Sequence, residues 1–316
     1  MPQLTYTILR TREIVVMNRV RKQVGLREDC PYDGSGVTAA VLDTGAAPHP
    51  DLEGRILYFC DFVNHRNELY DDNGHGTHVC GILGGSGKLS GGKYRGMAPG
   101  VTLIAGKILD SRGDGKSEDL LKGLDWILEL TEQTTIRILN LSVGGGDPIP
   151  SDRWELLSDR LKKLRDRGVL VVCAAGNKGP APGTLSRLGE NGNLLTVGCH
   201  DGDFHSRNPK RCETYSGAGL STGFPRKPDL VAPGTLIVSC SGAYESRTLH
   251  KRNPYTAKSG TSMSAPIVSG AAALLFQKEP ELTEEACRRK LIYSALDLHL
   301  PWNRQGYGML QMGNLL

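Results

Sequence analysis

The sequence has little net charge and no long apolar segment. Its 38 Lys and Arg against 34 Asp and Glu leave a formal charge of +4, too small and too dispersed to indicate binding to nucleic acid or to an anionic membrane. The longest apolar run, at 169–175, is far shorter than the ~20 residues of a membrane span. Arg10, Arg12 and Glu13 interrupt any N-terminal stretch that could serve as a signal peptide. We therefore expect a cytoplasmic protein.

The cysteines lack the spacing of a metal site. There are eight of them, and none forms a C-x-x-C pair, so the sequence does not support a structural zinc site. The chain is neither short nor visibly secreted, and we therefore expect eight free thiols. Cys80 and Cys173 lie in apolar runs, which favours a packing role over thiol regulation.

Glycine, by contrast, is in excess. The chain has 40 glycines in 316 residues, close to twice the usual share of about 7%, and they follow no fixed period. Glycine allows tight turns and lets the backbone pass close to another group. The composition therefore indicates many places where the main chain comes close to something, without saying what that is.

Apolar strands alternate with amphipathic helices along most of the chain. Short apolar runs predict buried strands at 37–42, 103–108, 136–143, 168–174, 194–197 and 230–231. Residues 117–130 and 151–167 have apolar residues at helical spacing, with Ser151 as the predicted N-cap of the second helix. The alternation predicts an α/β fold, a mostly parallel β-sheet with helices on both faces. No linker divides the chain, so we expect an N-terminal extension, 1–12, and a single domain, 13–316.

Two segments place an acid and a histidine where chemistry could occur. AVLDTG, residues 40–45, is an apolar strand that ends in Asp43, and open α/β sheets bind ligands at the carboxyl ends of their strands. Such an acid can also merely cap a loop. In DDNGHGTHVCGILGG, residues 71–85, His75 lies between two glycines. His75 and His78 have the spacing of a metal pair, but the segment has neither the H-E-x-x-H pattern nor a third ligand.

The third segment is SGTSMSAPIVSGAAALLF, residues 259–276, in which Ser262 opens an apolar helix. A helix N-terminus supplies partial positive charge and free N–H groups, which suits a serine nucleophile. Ser262 could equally be only the N-cap of that helix. We expect Pro266 to lie in the first turn, where proline is tolerated.

Together the three segments resemble the subtilisin-like (S8) serine proteases, with VLDTG, NGHGTHV and GTSMSAP around Asp43, His75 and Ser262. The chain order Asp, His, Ser is that of subtilisin. The resemblance runs from about residue 36 to residue 313 and includes ILNLSVGGG, VVCAAGN and KPDLVAPG. It implies a subtilisin-like three-layer fold and a serine endopeptidase, in which Asp43 orients His75 and His75 acts as the base for Ser262.

The resemblance also implies which residues bind the substrate. Asn177, in AAGN, matches the side-chain donor of the family's oxyanion hole. An extended peptide is expected to lie as an added strand between two segments: Gly113, Asp114 and Gly115 on one side, and Ser142, Val143 and Gly144 on the other. Polypeptide is therefore the expected partner, and broad cleavage of unfolded chains is the expected activity.

The P1 pocket of this chain departs from the family pattern. Lys178 and Arg187 lie in the segments that resemble the wall and the floor of that pocket. Two cations there would disfavour basic P1 residues and favour acidic ones. The alternative is that both side chains point into water.

A structural calcium ion is possible, although no cofactor is expected for the chemistry. Asp51 matches a calcium ligand of the family. The loop that would supply the remaining oxygens, 84–96, carries three cations, whereas calcium requires hard oxygen ligands. The acidic segment 61–72 could hold a different ion.

The short N-terminal region resembles that of bacterial intracellular subtilisins, which implies a bacterial origin. Those relatives carry an extension that inhibits until it is removed, and residues 1–11 could act likewise, although the proline-containing plug of those relatives is not evident. Two alternative functions are a protease dedicated to one precursor and a silent relative with a regulatory role. The presence of Asp43, His75, Ser262 and Asn177 disfavours the silent relative, and the sequence does not exclude the dedicated protease.

Overall fold

The computed structural model describes residues 17–143, 149–202, 211–222, 226–244 and 253–316. The predicted extension 1–12 and the predicted substrate residue Gly144 lie outside these ranges. The division into an extension and one domain therefore stays a prediction.

A parallel sheet forms the centre of the described structure. Its strands are β1 Thr38–Asp43, β2 Ile56–Asp61, β3 Thr102–Lys107, β4 Ile136–Leu141, β5 Leu170–Ala174, β6 Leu195–Cys199 and β7 Leu230–Ala232. They pair in the order β2-β3-β1-β4-β5-β6-β7. Two further strands, β8 Ile237–Cys240 and β9 Tyr255–Lys258, form an antiparallel pair. The predicted α/β class is confirmed.

Helices cover both faces of the sheet, as predicted. They are α1 Met17–Gln23, α2 His75–Gly84, α3 Ser117–Leu130, α4 Ser151–Asp166, α5 Thr261–Lys278, α6 Glu284–Tyr293 and α7 Trp302–Gln305. Successive side chains of β1 point to opposite faces, so Ala39 and Val41 join the core under α2 and α5, whereas Ala40 and Leu42 join the core under α3 and α4. Among the described residues, no helix is both long and apolar enough to cross a membrane.

The strand order creates a crevice at the carboxyl end of β1. From β1 the chain continues to β2 and β3 on one side, and then to β4 on the other side. The strand connections therefore change direction between β1 and β4, which is where open α/β sheets bind ligands. Asp43, the last residue of β1, lies at this point.

Strand β2 is the strand of the parallel sheet that was not predicted. It is an edge strand, and Leu57 and Tyr58 on it are 50% and 37% exposed. Residues 56–60 nevertheless form a short apolar run, so the sequence held a strand signal that the prediction did not use.

Two predicted details of helix geometry are wrong. Helix α4 begins at Ser151 itself, with Pro150 as its N-cap and no side-chain capping bond. Pro266 is the sixth residue of α5 and lies in the second turn of that helix, since α5 begins at Thr261. Helix α5 is buried along nearly its whole length, and packing on every side offsets the cost of an internal proline.

The prediction of eight free thiols is also wrong. Cys199, the last residue of β6, is joined by a disulfide to Cys212, and their Cα atoms are 5.7 Å apart. That separation lies within the range a disulfide requires, and the fold creates it across 13 residues of sequence. Cys80 and Cys173 are fully buried free thiols, in agreement with the predicted packing role.

The close approach of α5 to the loop after α2 gives a test of core packing. A Cβ on Gly270 would overlap the Cβ of Met97, which side-chain rotation cannot move. A Cβ on Gly123 of α3 would meet only flexible side-chain ends, Ile108 Cγ2 at 2.9 Å and Leu42 Cδ1 at 3.2 Å. Gly270→Ala should lower the free energy of unfolding by about 1–3 kcal/mol.

In Gly123→Ala the helix propensity gained, about 1 kcal/mol, should offset the contacts and leave stability nearly unchanged. Urea unfolding followed by circular dichroism, in a Ser262→Ala background that removes the predicted nucleophile, measures both changes. Equal effects of the two substitutions would contradict this account of the packing.

Candidate active site

Asp43 and His75 are in direct contact. Asp43 is fully buried at the end of β1, and His75 is the first residue of α2. Nδ1 of His75 lies 2.7 Å from Oδ1 of Asp43. An ionised carboxylate can only accept, so Nδ1 carries the proton and the lone pair of Nε2 is left available. The contact therefore fixes the orientation of the His75 ring and leaves Nε2 able to accept a proton.

Opposing effects set the pKa of His75. Burial lowers it, but the charge of Asp43 and the hydrogen bond from His75 to Asp43 raise it by more, so the net pKa lies above the ordinary value for histidine. Lys258, the last residue of β9, lowers this pKa through its positive charge. His78 behaves differently, because burial and the charges of Lys258 and His75 lower its pKa to about 3.

A second carboxylate, Asp71, fixes the start of α2 against the end of β1. Its Oδ1 accepts from the hydroxyl of Thr44 at 2.8 Å and from the N–H of Gly74 at 2.7 Å. Its Oδ2 accepts from the N–H and the hydroxyl of Thr77 at 2.8 Å and 2.6 Å. The hydroxyl of Thr44 in turn accepts from the N–H of Gly76 at 2.8 Å. These bonds bracket His75 and set its position relative to Asp43.

The fully buried Lys107 adds a further link at the same strand ends. Its Nζ donates to the carbonyl oxygens of Thr44 at 2.9 Å and Leu109 at 2.7 Å, and to Oδ1 of Asp72 at 2.7 Å. All three ammonium protons thus have an acceptor. Sequence reasoning missed Asp71 and Lys107 as site residues. An acid three residues before the N-cap of a helix could have been recognised as an acceptor for the free N–H groups of the first turn.

Ser262 is linked reciprocally to Ser142. The Ser262 hydroxyl donates to the carbonyl of Ser142, and the Ser142 hydroxyl donates to the carbonyl of Ser262, both at 3.0 Å. Pro266 explains the second bond, because proline has no N–H to donate to the carbonyl four residues before it. The Ser142 hydroxyl takes the place of that missing helical bond. The N-cap of α5 is Gly260, so the alternative that Ser262 is only an N-cap is wrong.

Helix α5, which carries Ser262, packs against α2, which carries His75. Among the described residues, no hydrogen bond joins the two side chains in this state. The Ser262 hydroxyl reaches its acceptor on Ser142 instead, and rotation about its Cα–Cβ bond is required to turn it toward another acceptor.

Asn177 lies beside the first turn of α5. Its Oδ1 accepts from the N–H and the hydroxyl of Thr261, both at 3.1 Å. These bonds fix the amide orientation and leave Nδ2 as a donor. A Cβ on Gly260 would lie 3.3 Å from Nδ2, and Gly260 has φ of 144°, which side chains rarely adopt. The first-turn N–H of Ser262 has no helical acceptor, so two donors are available at this point.

One residue from each predicted substrate segment, Gly115 and Val143, lines the same cavity. Gly113, Asp114 and Gly115 form a turn in which Asp110 accepts from the N–H of Asp114 at 3.0 Å. Asp114 and Gly115 are exposed, whereas Ser142 and Val143 are buried just after β4. Gly144 lies outside the described residues, so the binding of a peptide between the two segments stays a prediction.

A cavity of about 490 Å³ opens beside Asn177. One part has an apolar lining that includes Leu109, Leu120 and Val143, and another part is lined by Lys178 and Arg187. The structure therefore places both predicted cations at one cavity.

The two cations at this cavity differ in their surroundings. The Arg187 guanidinium lies 4.7 Å from the ring centre of Trp154 and 3.4 Å from a carboxylate oxygen of Glu190, and its side chain is 54% exposed. Lys178 is exposed, and in the described part of the chain it forms no ion pair. Of the two predicted cations, Lys178 is therefore the one that is available to a ligand, and Lys116, which also lines the cavity, is likewise exposed.

The surroundings of Asp51 do not fit calcium. Its Oδ1 accepts from the N–H of Leu89 at 3.0 Å, and its Oδ2 accepts from the hydroxyl of Tyr255 at 2.8 Å. The other possible ligands nearby are the side chains of His49 and Cys240. Calcium takes six to eight oxygen ligands, whereas this carboxylate is surrounded by hydrogen-bond donors, an imidazole and a thiol.

The aspartates of the segment 61–72 are likewise engaged by protein donors, and so is Asp201. In the segment 61–72, Asp61 accepts from the N–H groups of Val63 and Asn64, both at 2.9 Å, and from the hydroxyl of Tyr70 at 2.5 Å. Asp71 and Asp72 make the bonds described above. Asp201 lies near the Cys199–Cys212 disulfide, but its Oδ1 accepts from the N–H groups of Gly234 and Thr235, and the two sulfurs are bonded to each other.

Residues 34–308 match the model of the subtilase family, peptidase S8. The chain is 38% identical over 269 residues to "Serine protease AprX" of Bacillus subtilis (strain 168), a match that covers 82% of this chain and 61% of AprX. It is 32% identical over 292 residues to "Intracellular serine protease" of Paenibacillus polymyxa, covering 88% and 80% of the two chains.

Among solved structures, "Sphericase" superposes with a TM-score of 0.79 at 27% identity, covering 95% of this chain and 99% of that one. The predicted three-layer architecture is thus shared with a structure solved for another protein. The chain spans 61% of the length of AprX, so AprX contains further sequence that this comparison does not include.

The electrostatics of His75 can be tested directly. Replacing Lys258 with Gln removes a positive charge that lowers the pKa of His75, so this pKa should rise; Asp43→Asn should lower it, because the charge that raises it is lost. Nuclear magnetic resonance titration of the His75 ring protons in the Ser262→Ala background measures both. Lys116→Gln, which removes an exposed cation at the cavity, is the matched control and should leave the pKa in place. A fall in the pKa of His75 in Lys258→Gln would contradict this interpretation.

Proposed function

This chain belongs to the subtilase family of peptidases, and on that basis we propose that it is a serine endopeptidase that acts through Asp43, His75 and Ser262 and an acyl-enzyme intermediate. The observation that carries the proposal is the 2.7 Å contact between His75 Nδ1 and Asp43 Oδ1, on a helix that packs against the helix bearing Ser262. It supplies a base in the required tautomer, on a helix next to that of the proposed nucleophile.

In the proposed reaction, the Ser262 hydroxyl turns from Ser142 to Nε2 of His75 as a peptide enters. Nε2 takes the hydroxyl proton while Oγ attacks the scissile carbonyl, and the resulting imidazolium is stabilised by Asp43. His75 then gives the proton to the leaving amine. Water repeats the sequence on the acyl-enzyme, with His75 again as the base, and releases the second product.

Asn177 and the N–H of Ser262 would stabilise the oxyanion. The two bonds from Thr261 to Oδ1 hold the amide in one orientation and leave Nδ2 as the free donor. Donors that are fixed before the reaction need no rearrangement when charge develops, which is why such groups contribute strongly to catalysis. No metal ion takes part in these steps.

The substrate is proposed to lie as an extended strand between 113–115 and 142–144, with its P1 side chain in the cavity beside Asn177. Backbone pairing gives affinity without selecting particular side chains. Broad cleavage of unfolded polypeptides is therefore the proposed activity. A protease dedicated to one precursor would use the same chemistry.

A cytoplasmic location is also proposed. The relative named "Intracellular serine protease" supports it. The Cys199–Cys212 disulfide weighs against it, because cytosolic reductants usually keep thiols reduced.

Activity should depend on Ser262 and Asn177 in different degrees. With denatured casein, the intact protein should release peptides and Ser262→Ala should lose about 10⁴-fold or more of the activity. Asn177→Ala should lower kcat by about 10²–10³-fold, the range measured for the same kind of donor in a subtilisin. The exposed Asn67 serves as the control, and Asn67→Ala should retain full activity. Casein left intact by the unsubstituted protein would contradict broad endopeptidase activity and favour a dedicated or silent protein.

The cations at the cavity should make the enzyme prefer Glu to Lys at P1. An exposed ion pair contributes about 0.2–1 kcal/mol, so Lys178 with Arg187 should favour an Ala-Ala-Pro-Glu reporter over Ala-Ala-Pro-Lys by about threefold to tenfold in kcat/KM. Lys178→Glu should reverse that order, whereas Lys178→Met should only weaken it. The ratio of kcat/KM for the Glu and Lys reporters should also be measured at low and high salt. The preference should weaken at high salt, because salt screens exposed charges. If the unsubstituted enzyme cleaves the Lys reporter better than the Glu reporter, the proposed preference is wrong, and Lys178 and Arg187 point into water instead.

A further inference from the structure

The segment 176–184, called the wall below, carries Asn177 and Lys178. The segment 211–219, called its backing, packs behind it. The N–H of Gly217 donates to the carbonyl of Gly176 at 2.7 Å, and the N–H of Gly179 donates to the carbonyl of Tyr215 at 2.9 Å. These two bonds lie on either side of Asn177 and Lys178. The position of both side chains therefore depends on the backbone of the segment behind them.

The wall and its backing are in backbone contact. A Cβ on Gly179 would overlap the carbonyl oxygen of Ser216, and a Cβ on Gly217 would overlap that of Ala175. Further along the wall, the N–H of Thr184 donates to the carbonyl at position 218 at 2.9 Å. Backbone packs directly against backbone at these points. A shift of the backing therefore moves the wall, because no side chain lies between them that could change its conformation instead.

The Cys199–Cys212 disulfide fastens the start of this backing to the central sheet. Cys199 is the last residue of β6, and Cys212 begins the short 3₁₀ turn Cys212–Thr214. The N–H of Cys199 donates to the hydroxyl of Ser216 at 2.9 Å, and the N–H of Ser216 donates to the carbonyl of Cys212 at 2.8 Å. Ser216 is thus held from both halves of the disulfide.

The same disulfide lies beside Gly234, which binds the N-cap of the nucleophile's helix. A Cβ on Gly234 would meet Sγ of Cys199 at 2.5 Å and the carbonyl oxygen of Gly260 at 2.7 Å. The N–H of Gly260 donates to the carbonyl of Gly234 at 2.9 Å. The disulfide is therefore linked to both supports of the predicted oxyanion site: to the wall that carries Asn177 through Ser216, and to the N-cap of α5 through Gly234.

We propose that the Cys199–Cys212 disulfide is a positioning element for the P1 wall and the oxyanion donor, and that its reduction converts the enzyme to a less active and less selective form. This inference rests on the proposed function. A dithiol reductant would supply the two electrons: the Cys199–Cys212 S–S bond breaks, each sulfur gains a proton, and the two sulfurs of the reductant form a disulfide. The cysteine pair acts through Gly176, Asn177 and Gly179, not on the substrate itself.

The test compares the enzyme prepared without reductant and the enzyme kept in dithiothreitol from cell lysis onward. Titration with a thiol reagent after denaturation should give six thiols in the first form and two more in the second. Active sites are counted with a serine-reactive inhibitor, so that kcat/KM refers to intact sites. Reduction should lower kcat/KM by about 10–100-fold. It should also bring the ratio of the kcat/KM values for reporters with Glu and with Phe at P1 closer to one. Loss of folded enzyme alone would lower the count of active sites and leave that ratio unchanged.

Three variants support the comparison. The double variant Cys199→Ser/Cys212→Ser should show the activity and selectivity of the reduced enzyme in either preparation. Cys60→Ser removes a half-buried free thiol and should keep the difference between the preparations. Ser216→Ala retains the disulfide and removes the hydroxyl that accepts from Cys199, so it should change selectivity in the same direction, which provides a second test if the double variant does not fold.

Amide hydrogen exchange gives a readout that does not require activity. Reduction should speed exchange at Gly179, Thr184 and Gly217, whose N–H groups join the wall to its backing, and should leave β1 and β4 protected. Unchanged exchange, together with equal kcat/KM and equal P1 ratios in the two preparations, would overturn the proposal. If neither preparation cleaves any peptide, the proposed function fails, while the exchange data still test whether the disulfide positions the wall.

Discussion

The buried carboxylate of Asp43 is the constraint on which the rest of this site depends. A charge removed from water must be compensated by donors or by an opposite charge. Here the N–H of Thr44 and the imidazole of His75 provide that compensation through one oxygen. The same need for a positive partner raises the pKa of His75, so one interaction fixes both the orientation and the basicity of the imidazole.

A second set of buried polar groups holds Asp43 and His75 in position relative to each other. Asp71 and Lys107 connect the ends of β1 and β3 to the first turn of α2. Each has its hydrogen-bonding capacity used by neighbouring groups, as expected for charged groups in a low-dielectric interior. Asp43 and His75 are thus part of a larger network of hydrogen-bonded groups at these strand ends.

Helix α5 shows how local defects in a secondary structure can be used by a site. Pro266 removes one helical donor, which frees the carbonyl of Ser262 for the hydroxyl of Ser142. Gly260 removes the Cβ that would lie against Asn177. In both places the chain gives up some helical regularity, and burial of nearly the whole helix stabilises the arrangement against that cost.

The sequence by itself determined the alternation of strands and helices, the α/β class and the three polar segments, because these depend on short-range periodicity and on motifs a few residues long. Strands such as β1 and β4 were predictable since burial on both faces produces continuous apolar runs. The edge strand β2 was not predicted, although residues 56–60 are apolar, because so short a run does not by itself distinguish a strand from another buried segment.

Only the tertiary structure decided which polar groups meet. Lys107 acts through a contact that crosses 63 residues of sequence, and Asp71 joins the first turn of α2 to Thr44, 27 residues away. The position of Asp71 before the helix is a local signal, but its contact with Thr44 depends on the fold. The disulfide between Cys199 and Cys212, and the donors that fill the carboxylate of Asp51, likewise depend on how separate elements pack. A motif identifies the side chains that can react, whereas the positions of those side chains follow from long-range packing and from the hydrogen bonds that most buried polar groups form.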